Sequence, residues 1–489
     1  MQTLNPSNFR NIIPGLLLLL LTSNTKAQTN IPYVPLKDDS IAGVNLVKQV
    51  EQRYKQDVNT LKGSNKKSIA DLYEYRLTEV KSMTSHKEVI TDASVQQYLQ
   101  SLTSLIINAN SQLSGISTRF YFSRSAVPNA FSMGDGTIIF NVGLFTKLNS
   151  EAEVAFVLCH ELAHLYLNHS NNRIEQYVNT MYSKDMQKEL RKIQSSEYRQ
   201  NAQLKSLSEK FSFNSSRHSR DHESEADSMG VVFLRNTRFN TYATVSALGI
   251  LDTIDVETFN TNAFLQQTFT SKAYPFQTKW LEKEEGLLGG HATLETNKKL
   301  EDSLKTHPDC QLRIKAITSM VVPTGADGRQ DFLVNAGEFT RLKKSFAYEI
   351  VDHYYNSSNL SGCFYFAVQM LQKNVNDPYV VAIIGKLFSR MYTLQKAHKL
   401  GSYTQQPAPY YSSNYNNLLQ FIQNLYLEDM AAINYHFLQQ YEKQGPLLSY
   451  EDFVYALTMS KQQNDNPEEL SYWKNYYNKS FSPKKYSFN

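Results

Sequence analysis

Residues 150–167 admit one local structure and leave little latitude in what it can do. Ser150-Glu151-Ala152-Glu153 is a helix-start signal: the Ser150 hydroxyl can accept from the Glu153 N–H, and the Glu153 carboxylate can reach back to the Ser150 N–H. Val154, Ala155, Phe156, Val157, Leu158, Leu162, Ala163, Leu165 and Leu167 then make a helix apolar on nearly all sides, which belongs in a core. Into it the chain sets His160-Glu161-Leu162-Ala163-His164. Burying two imidazoles and a carboxylate without partners is costly, and a metal ion satisfies all three. His160 and His164 are one turn apart, so both rings project from one face at the separation a tetrahedral zinc ion takes. Glu161 lies off that axis, placed to act as a general base on water and not as a ligand. The bland alternative is a chance match with the histidines on a solvated stripe, and the apolar setting weighs against it.

A catalytic zinc takes three protein ligands and keeps one position for water. One class of site draws the third from a histidine six residues after the second, but Ser170 stands there and Leu167 replaces the intervening glycine, so that class is excluded. His169, five residues after His164, falls roughly 140° around a continuous helix and would face away from the metal. The acidic run Asp221-His222-Glu223-Ser224-Glu225-Ala226-Asp227 offers more. Glu223 and Asp227 share a helical face, so Glu223 can bind zinc while Asp227 accepts from the distal N–H of a liganding histidine. Taken alone such a run is a solvated helix face; its pairing with the first motif is what raises it. His218 and His222 present other faces and are expected as neighbours, not ligands.

Four blocks together resemble the gluzincin metalloendopeptidases, the group of the CAAX prenyl endopeptidases, the membrane heat-shock protease HtpX and periplasmic BepA-type proteases. They are Pro128-Asn129-Ala130-Phe131 with Gly134 and Gly136; the zinc helix; Glu223 to Asp227; and Thr306-His307-Pro308 followed by Arg313-Ile314. The resemblance covers roughly residues 45–320. It implies one zinc ion per chain held by His160, His164 and Glu223, with Glu161 as base and proteins or peptides as substrates. It also puts His307 near the metal, where a histidine can take the open position or assist the transition state; from the residues alone His307 is a loop or helix-cap residue. Thr137-Ile138-Ile139-Phe140-Asn141 has the composition of a strand after a glycine-rich turn. In gluzincins a strand beside the zinc helix offers its edge to extended substrate, so these five residues are expected to bind peptide main chain. The same string is also compatible with an ordinary core strand. Between His164 and Glu223, where some relatives carry membrane spans, the chain is charged (Lys184, Lys188, Glu189, Arg191, Lys192) and cannot cross a bilayer. A helical excursion along the cleft is expected there.

Arg10, the apolar stretch Ile12 to Leu21 and the small residues around Ala27 form an export signal over residues 1–27. That stretch, interrupted by Pro14 and Gly15, is shorter than the about 20 residues a span requires. A periplasmic or secreted protein without a membrane span follows as the expectation. With 50 basic and 46 acidic residues the charge is near balance, so neither nucleic acid nor an anionic membrane is implied as partner. Three cysteines make no framework; Cys310 and Cys363 could pair in an oxidising compartment if the fold brought them together.

Proline and glycine in Val322-Pro323-Thr324-Gly325-Ala326-Asp327-Gly328 mark a break. The expected organisation is a metallopeptidase domain over 28–322 and a helical domain over 331–489. The class is α+β and mainly helical, with a small sheet whose edge strand serves the site. The C-terminal helix pairs resemble tetratricopeptide units, as in periplasmic relatives, without a clean repeat. They could engage envelope proteins. The most direct reading is an exported zinc endopeptidase acting on envelope or misfolded proteins. A chaperone-like binding protein with latent proteolysis is the alternative, and a closed structural metal site a further one that would have no need of Glu161.

Overall fold

The computed structural model describes residues 32–195, 203, 220–254, 256–282, 310–321 and 330–488. The expected export signal, His218, the Thr306-His307-Pro308 block and the break at 322–328 lie outside these residues.

The first elements among the described residues are a hairpin of α1 (Ser40–Thr60) and α2 (Lys66–Ser85), then β1 (Val89–Ile90), α3 (Ala93–Ala109), β2 (Arg119–Ser123), β3 (Ala130–Ser132) and β4 (Thr137–Asn141). These described strands form one sheet in the order β1-β2-β4-β3, with β2 and β4 parallel and the outer pairs antiparallel. Short α4 (Val142–Phe145) leads to α5 (Glu151–Tyr166), which carries the two-histidine motif, followed by α6 (His169–Met181) and α7 (Lys184–Gln194). Helix α8 occupies residues 220–235. Next come α9 (Ala243–Thr253), α10 (Thr261–Thr268) and α11 (Cys310–Ile317). The rest is α12 (Ala336–Asn356), α13 (Leu360–Lys373), α14 (Pro378–Lys396), α15 (Ser413–Asn424), α16 (Leu427–Gln439), α17 (Gly445–Leu448), α18 (Glu451–Gln463) and α19 (Pro467–Ser480). The architecture is α+β and mainly helical, as the sequence pattern leads one to expect.

One apolar core joins the sheet to α3, α5, α8, α9 and the first half of α12. At its centre Phe122, Phe140, Phe145 and Phe346 pack in edge-to-face and tilted pairs, with ring centroids 5.0–6.3 Å apart. A second core is built on α14, which is buried along most of its length against α13, α16 and α18. Core membership crosses the expected break in both directions: Phe264, Phe269 and Trp280 belong to the second core, while Phe339, Leu342 and Phe346 belong to the first. Helix α12 is thus a shared wall. Its Glu349 also accepts from Arg124 Nε at the end of β2 (2.5 Å) and from the Leu36 N–H (2.7 Å), tying the N-terminal segment to both.

Helix α5 begins as read, but only half of its cap is local. Ser150 Oγ accepts from the Glu153 N–H at 3.1 Å. The Glu153 carboxylate bypasses the Ser150 N–H and takes the Asn149 N–H and the Ser246 hydroxyl instead. Fully buried Glu151 accepts from the N–H groups of Leu333, Val334 and Asn335 (2.7–2.8 Å) and from the Tyr98 hydroxyl (3.0 Å). The first turn of α5 is therefore pinned to the segment that starts α12. Cys159, Cys310 and Cys363 are buried, and Cys310 and Cys363 lie in different cores, so no disulfide joins those two. Among the described residues no helix is long and apolar enough to cross a membrane.

Candidate metal centre

Two helices build the site. His160 and His164 project from α5 and Glu223 from α8, and one potential ligand atom from each lies within 4.8 Å of the others. The Nε2 atoms of the two histidines are 3.0 Å apart. Glu223 Oε2 is 3.5 Å from His160 Nε2, and Oε1 is 3.4 Å from His164 Nε2. Three donors about 2.0–2.1 Å from a common centre at tetrahedral angles would stand about 3.4 Å from one another, so this triangle has the size a zinc ion requires. Two imidazole nitrogens facing each other at hydrogen-bond distance beside a carboxylate are a donor set for a divalent cation.

Helix α8 approaches α5 closely because residue 230 has no side chain. A Cβ on Gly230 would stand 3.2 Å from the Cα and N of His160. That contact brings Glu223 and Asp227, one turn apart, over the α5 histidines. Asp227 Oδ1 lies 3.0 Å from His160 Nδ1, close enough for a charge-assisted contact although off the line of the ring N–H. Behind it, buried Arg313 from α11 grips Asp227 with two bonds of 2.7 Å, and its Nη1 lies 3.2 Å from Glu223 Oε2.

The electrostatics follow from this packing. Burial by itself would lower the His160 pKa, but Asp227 and Glu223 outweigh it and hold the ring up to about 10. Burial would raise Glu223; the two histidines and Arg313 reverse that and hold it well below the usual carboxylate range. Glu161 moves the other way. Its burial prevails over the nearby His160 and His164, and the group is raised even though the Ser132 N–H donates to its carboxylate. A buried carboxylate with a raised pKa, next to a cation site, is suited to taking a proton.

Two placements differ from the sequence reading. His169 does not face away: α5 ends at Tyr166, Asn168 takes the left-handed conformation (φ 56°), and α6 starts in a new direction. The angle extrapolated along one continuous helix therefore fails, and His169 Nδ1 comes within 2.9 Å of His164 Nδ1. His169 Nε2 contacts Glu225 at 3.0 Å, and His222 stacks on the His169 ring at 4.2 Å. The second difference concerns Thr137, Ile138, Ile139, Phe140 and Asn141. As β4 they are wholly buried and paired on both sides, to β2 and to β3, so they present no free rim to a peptide. The strand on the outer edge against α5 is β3, Ala130–Ser132.

Pairing of β3 shows which of its groups face outward. Asn129 C=O and Met133 N–H bond toward β4, so Ala130 and Ser132 turn their main-chain groups away from it. Ser132 has both engaged: its N–H by Glu161 and its C=O by the Ser170 hydroxyl at 3.3 Å.

Residues 91–321 match the model for peptidase family M48. They form an M48 peptidase domain. Within the chain, a 98-residue stretch is 31% identical to a beta-barrel assembly-enhancing protease of Yersinia pestis, covering 20% of each protein. A 120-residue stretch is 27% identical to a protein described in similar terms from Vibrio cholerae serotype O1, covering 24% of each. The matches thus span about a fifth to a quarter of these relatives. The M48 domain contains α5, α8, α11 and the whole sheet except β1, and so every residue of the site described above.

Proposed function

We propose that this chain is an exported zinc metalloendopeptidase. His160, His164 and Glu223 are its ligands, Glu161 its general base, and Asp227, backed by Arg313, the group that orients His160. The observation that carries the reading is the convergence of two histidines from one helix and a carboxylate from another on a triangle of zinc-sized edges, with Glu161 buried beside it. Zinc, when bound, supplies Lewis acidity toward water and a peptide carbonyl.

The chain's own residues supply the rest. Glu161 takes the proton of the attacking water, an uptake its raised pKa favours, and returns it to the leaving amine. The Ser132 N–H fixes the carboxylate's direction. Substrate lies extended along β3, where Ala130 offers outward main-chain groups; Ser132, already engaged on both, ends that ladder beside the base. His307 stays in the proposal on the family resemblance alone, as a group able to take the open ligand position or assist the transition state. The relatives' names point to proteins of the bacterial envelope as substrates, with the signal at residues 1–27 delivering the chain to the periplasm.

The test is incubation of the purified chain with a denatured protein, with and without a chelator, followed by mass analysis. Fragments that vanish on chelation and return with zinc are the expected result; fragments unaffected by chelation, or none under any condition, would refute it.

A further inference from the structure

We infer that His169 and Glu225 form a second orienting pair for the metal site, acting on His164 as Asp227 acts on His160. This rests on the zinc reading above and extends it to two residues outside the ligand set.

The argument is one of proton positions. His164 turns Nε2 into the ligand triangle, 3.0 Å from His160 Nε2. To offer a lone pair there, its ring must carry the proton on Nδ1. That proton points at His169 Nδ1, 2.9 Å away, which must then be the accepting nitrogen. The His169 proton is thereby placed on Nε2, 3.0 Å from Glu225 Oε2, where a carboxylate can only accept. One assignment satisfies every contact. Every other placement of the two protons leaves a His169 lone pair against the carboxylate, two N–H groups between the rings, or no proton between them. The tautomer of a metal ligand is thus set by a carboxylate lying beyond an intervening ring.

The surroundings hold this chain in place. His169 is buried, and it reaches His164 only because the left-handed Asn168 ends one helix and starts the next. His222 covers the His169 ring at 4.2 Å with planes 12° apart, which fixes its orientation. His222 and Glu225 both come from α8, as do Glu223 and Asp227, so one helix supplies the third ligand and the carboxylates behind both histidines. His169 and Glu225 are positioning residues: they act through His164 and touch neither substrate nor metal.

The experiment uses the full purified chain, zinc affinity by competition with a chromophoric chelator, and the visible spectrum of the cobalt(II)-loaded protein. His169→Phe keeps the ring volume and the stack on His222 but cannot accept a hydrogen bond. It is expected to weaken zinc binding by roughly 10- to 100-fold and to change the cobalt bands. His169→Asn, whose carbonyl oxygen takes the place of Nδ1, is expected to restore most of the affinity and the wild-type spectrum, a rescue that loss of packing alone would not show. Glu225→Ala should weaken binding less than His169→Phe, because water can reach that exposed side. Thermal unfolding of the metal-free variants checks that each is folded. His169→Phe with wild-type zinc affinity and an unchanged cobalt spectrum would overturn the inference, as would His169→Asn no better than His169→Phe. A wild-type chain that binds no zinc would instead overturn the metal reading on which this one rests.

Discussion

Arg313 holds Asp227 with two parallel bonds, Nε to Oδ2 and Nη2 to Oδ1, each 2.7 Å and both buried. The geometry is the planar fork of a guanidinium on a carboxylate. It joins α11 to α8 across 86 residues of chain and neutralises one of two carboxylates crowded beside His160.

Removing that guanidinium leaves buried Asp227 and half-buried Glu223 with His160 as the remaining nearby counter-charge. Arg313→Met should cost about 3–5 kcal/mol of stability in the metal-free protein, the range for breaking a buried pair from one side. Arg313→Lys should recover part of the charge but not the fork. Urea unfolding of the metal-free proteins measures both, and equal midpoints for wild type and Arg313→Met would contradict the assigned role.

Glu161 contacts the Ser132 main chain and lies outside the ligand triangle. Glu161→Gln should therefore keep zinc at one ion per chain while cutting turnover by about 10²–10⁴-fold, the usual contribution of a general base. Metal analysis beside a peptide-cleavage assay decides the matter. Loss of zinc in this variant would mean Glu161 is a ligand, and unaltered turnover would mean the base lies elsewhere.

What the sequence disclosed, and what it hid, follows the range of each interaction. The placement of His160, His164 and Glu161 depends on one helix and its cap, so spacing was enough. Glu223 and Asp227 form a second local pattern. His169 was misread because the break at Asn168 carries no glycine or proline to announce it. The edge strand was misplaced because strand order is set by distant pairing. Thr137–Asn141 is the stronger β-former, and its run of buried residues is what a strand flanked on both sides requires, whereas the open edge fell to the shorter Ala130–Ser132. The Arg313 partnership and the four donors converging on Glu151 join residues far apart in the chain, and no short pattern encodes them.

At Gly230 two effects oppose each other. Alanine in a helix interior gains about 1 kcal/mol over glycine, but its Cβ would stand 3.2 Å from the His160 backbone and push α8 away. Gly230→Ala should thus be near neutral in stability, while Gly230→Val, with two further methyl groups in the same gap, should lose about 1–3 kcal/mol. Since α8 carries Glu223, zinc affinity should fall with valine as well. Chelator competition and unfolding on the same samples test this, and a valine variant with wild-type affinity would show that the close approach does not set the ligand geometry.

In the second core, away from the candidate metal centre, Asp452 on α18 gathers Lys386 Nζ and Lys485 Nζ at 2.8 Å each and the Tyr486 hydroxyl at 3.0 Å, tying residues 485–486 to α14. Burial would raise its pKa, but the two lysines prevail and hold it below the usual carboxylate value. The folded-state pKa is therefore depressed, and as pH falls the unfolded chain takes up a proton first. The stability from this cluster is full above the unfolded value of about 3.9 and is lost as pH drops through the folded one. Asp452→Asn should lower stability at neutral pH and remove this residue's share of the acid-induced loss, so that wild type and variant draw together below about pH 4. Urea midpoints of the metal-free proteins across that interval give the comparison. A constant gap between the two curves at every pH would show that Asp452 is not charged against those lysines in the folded chain.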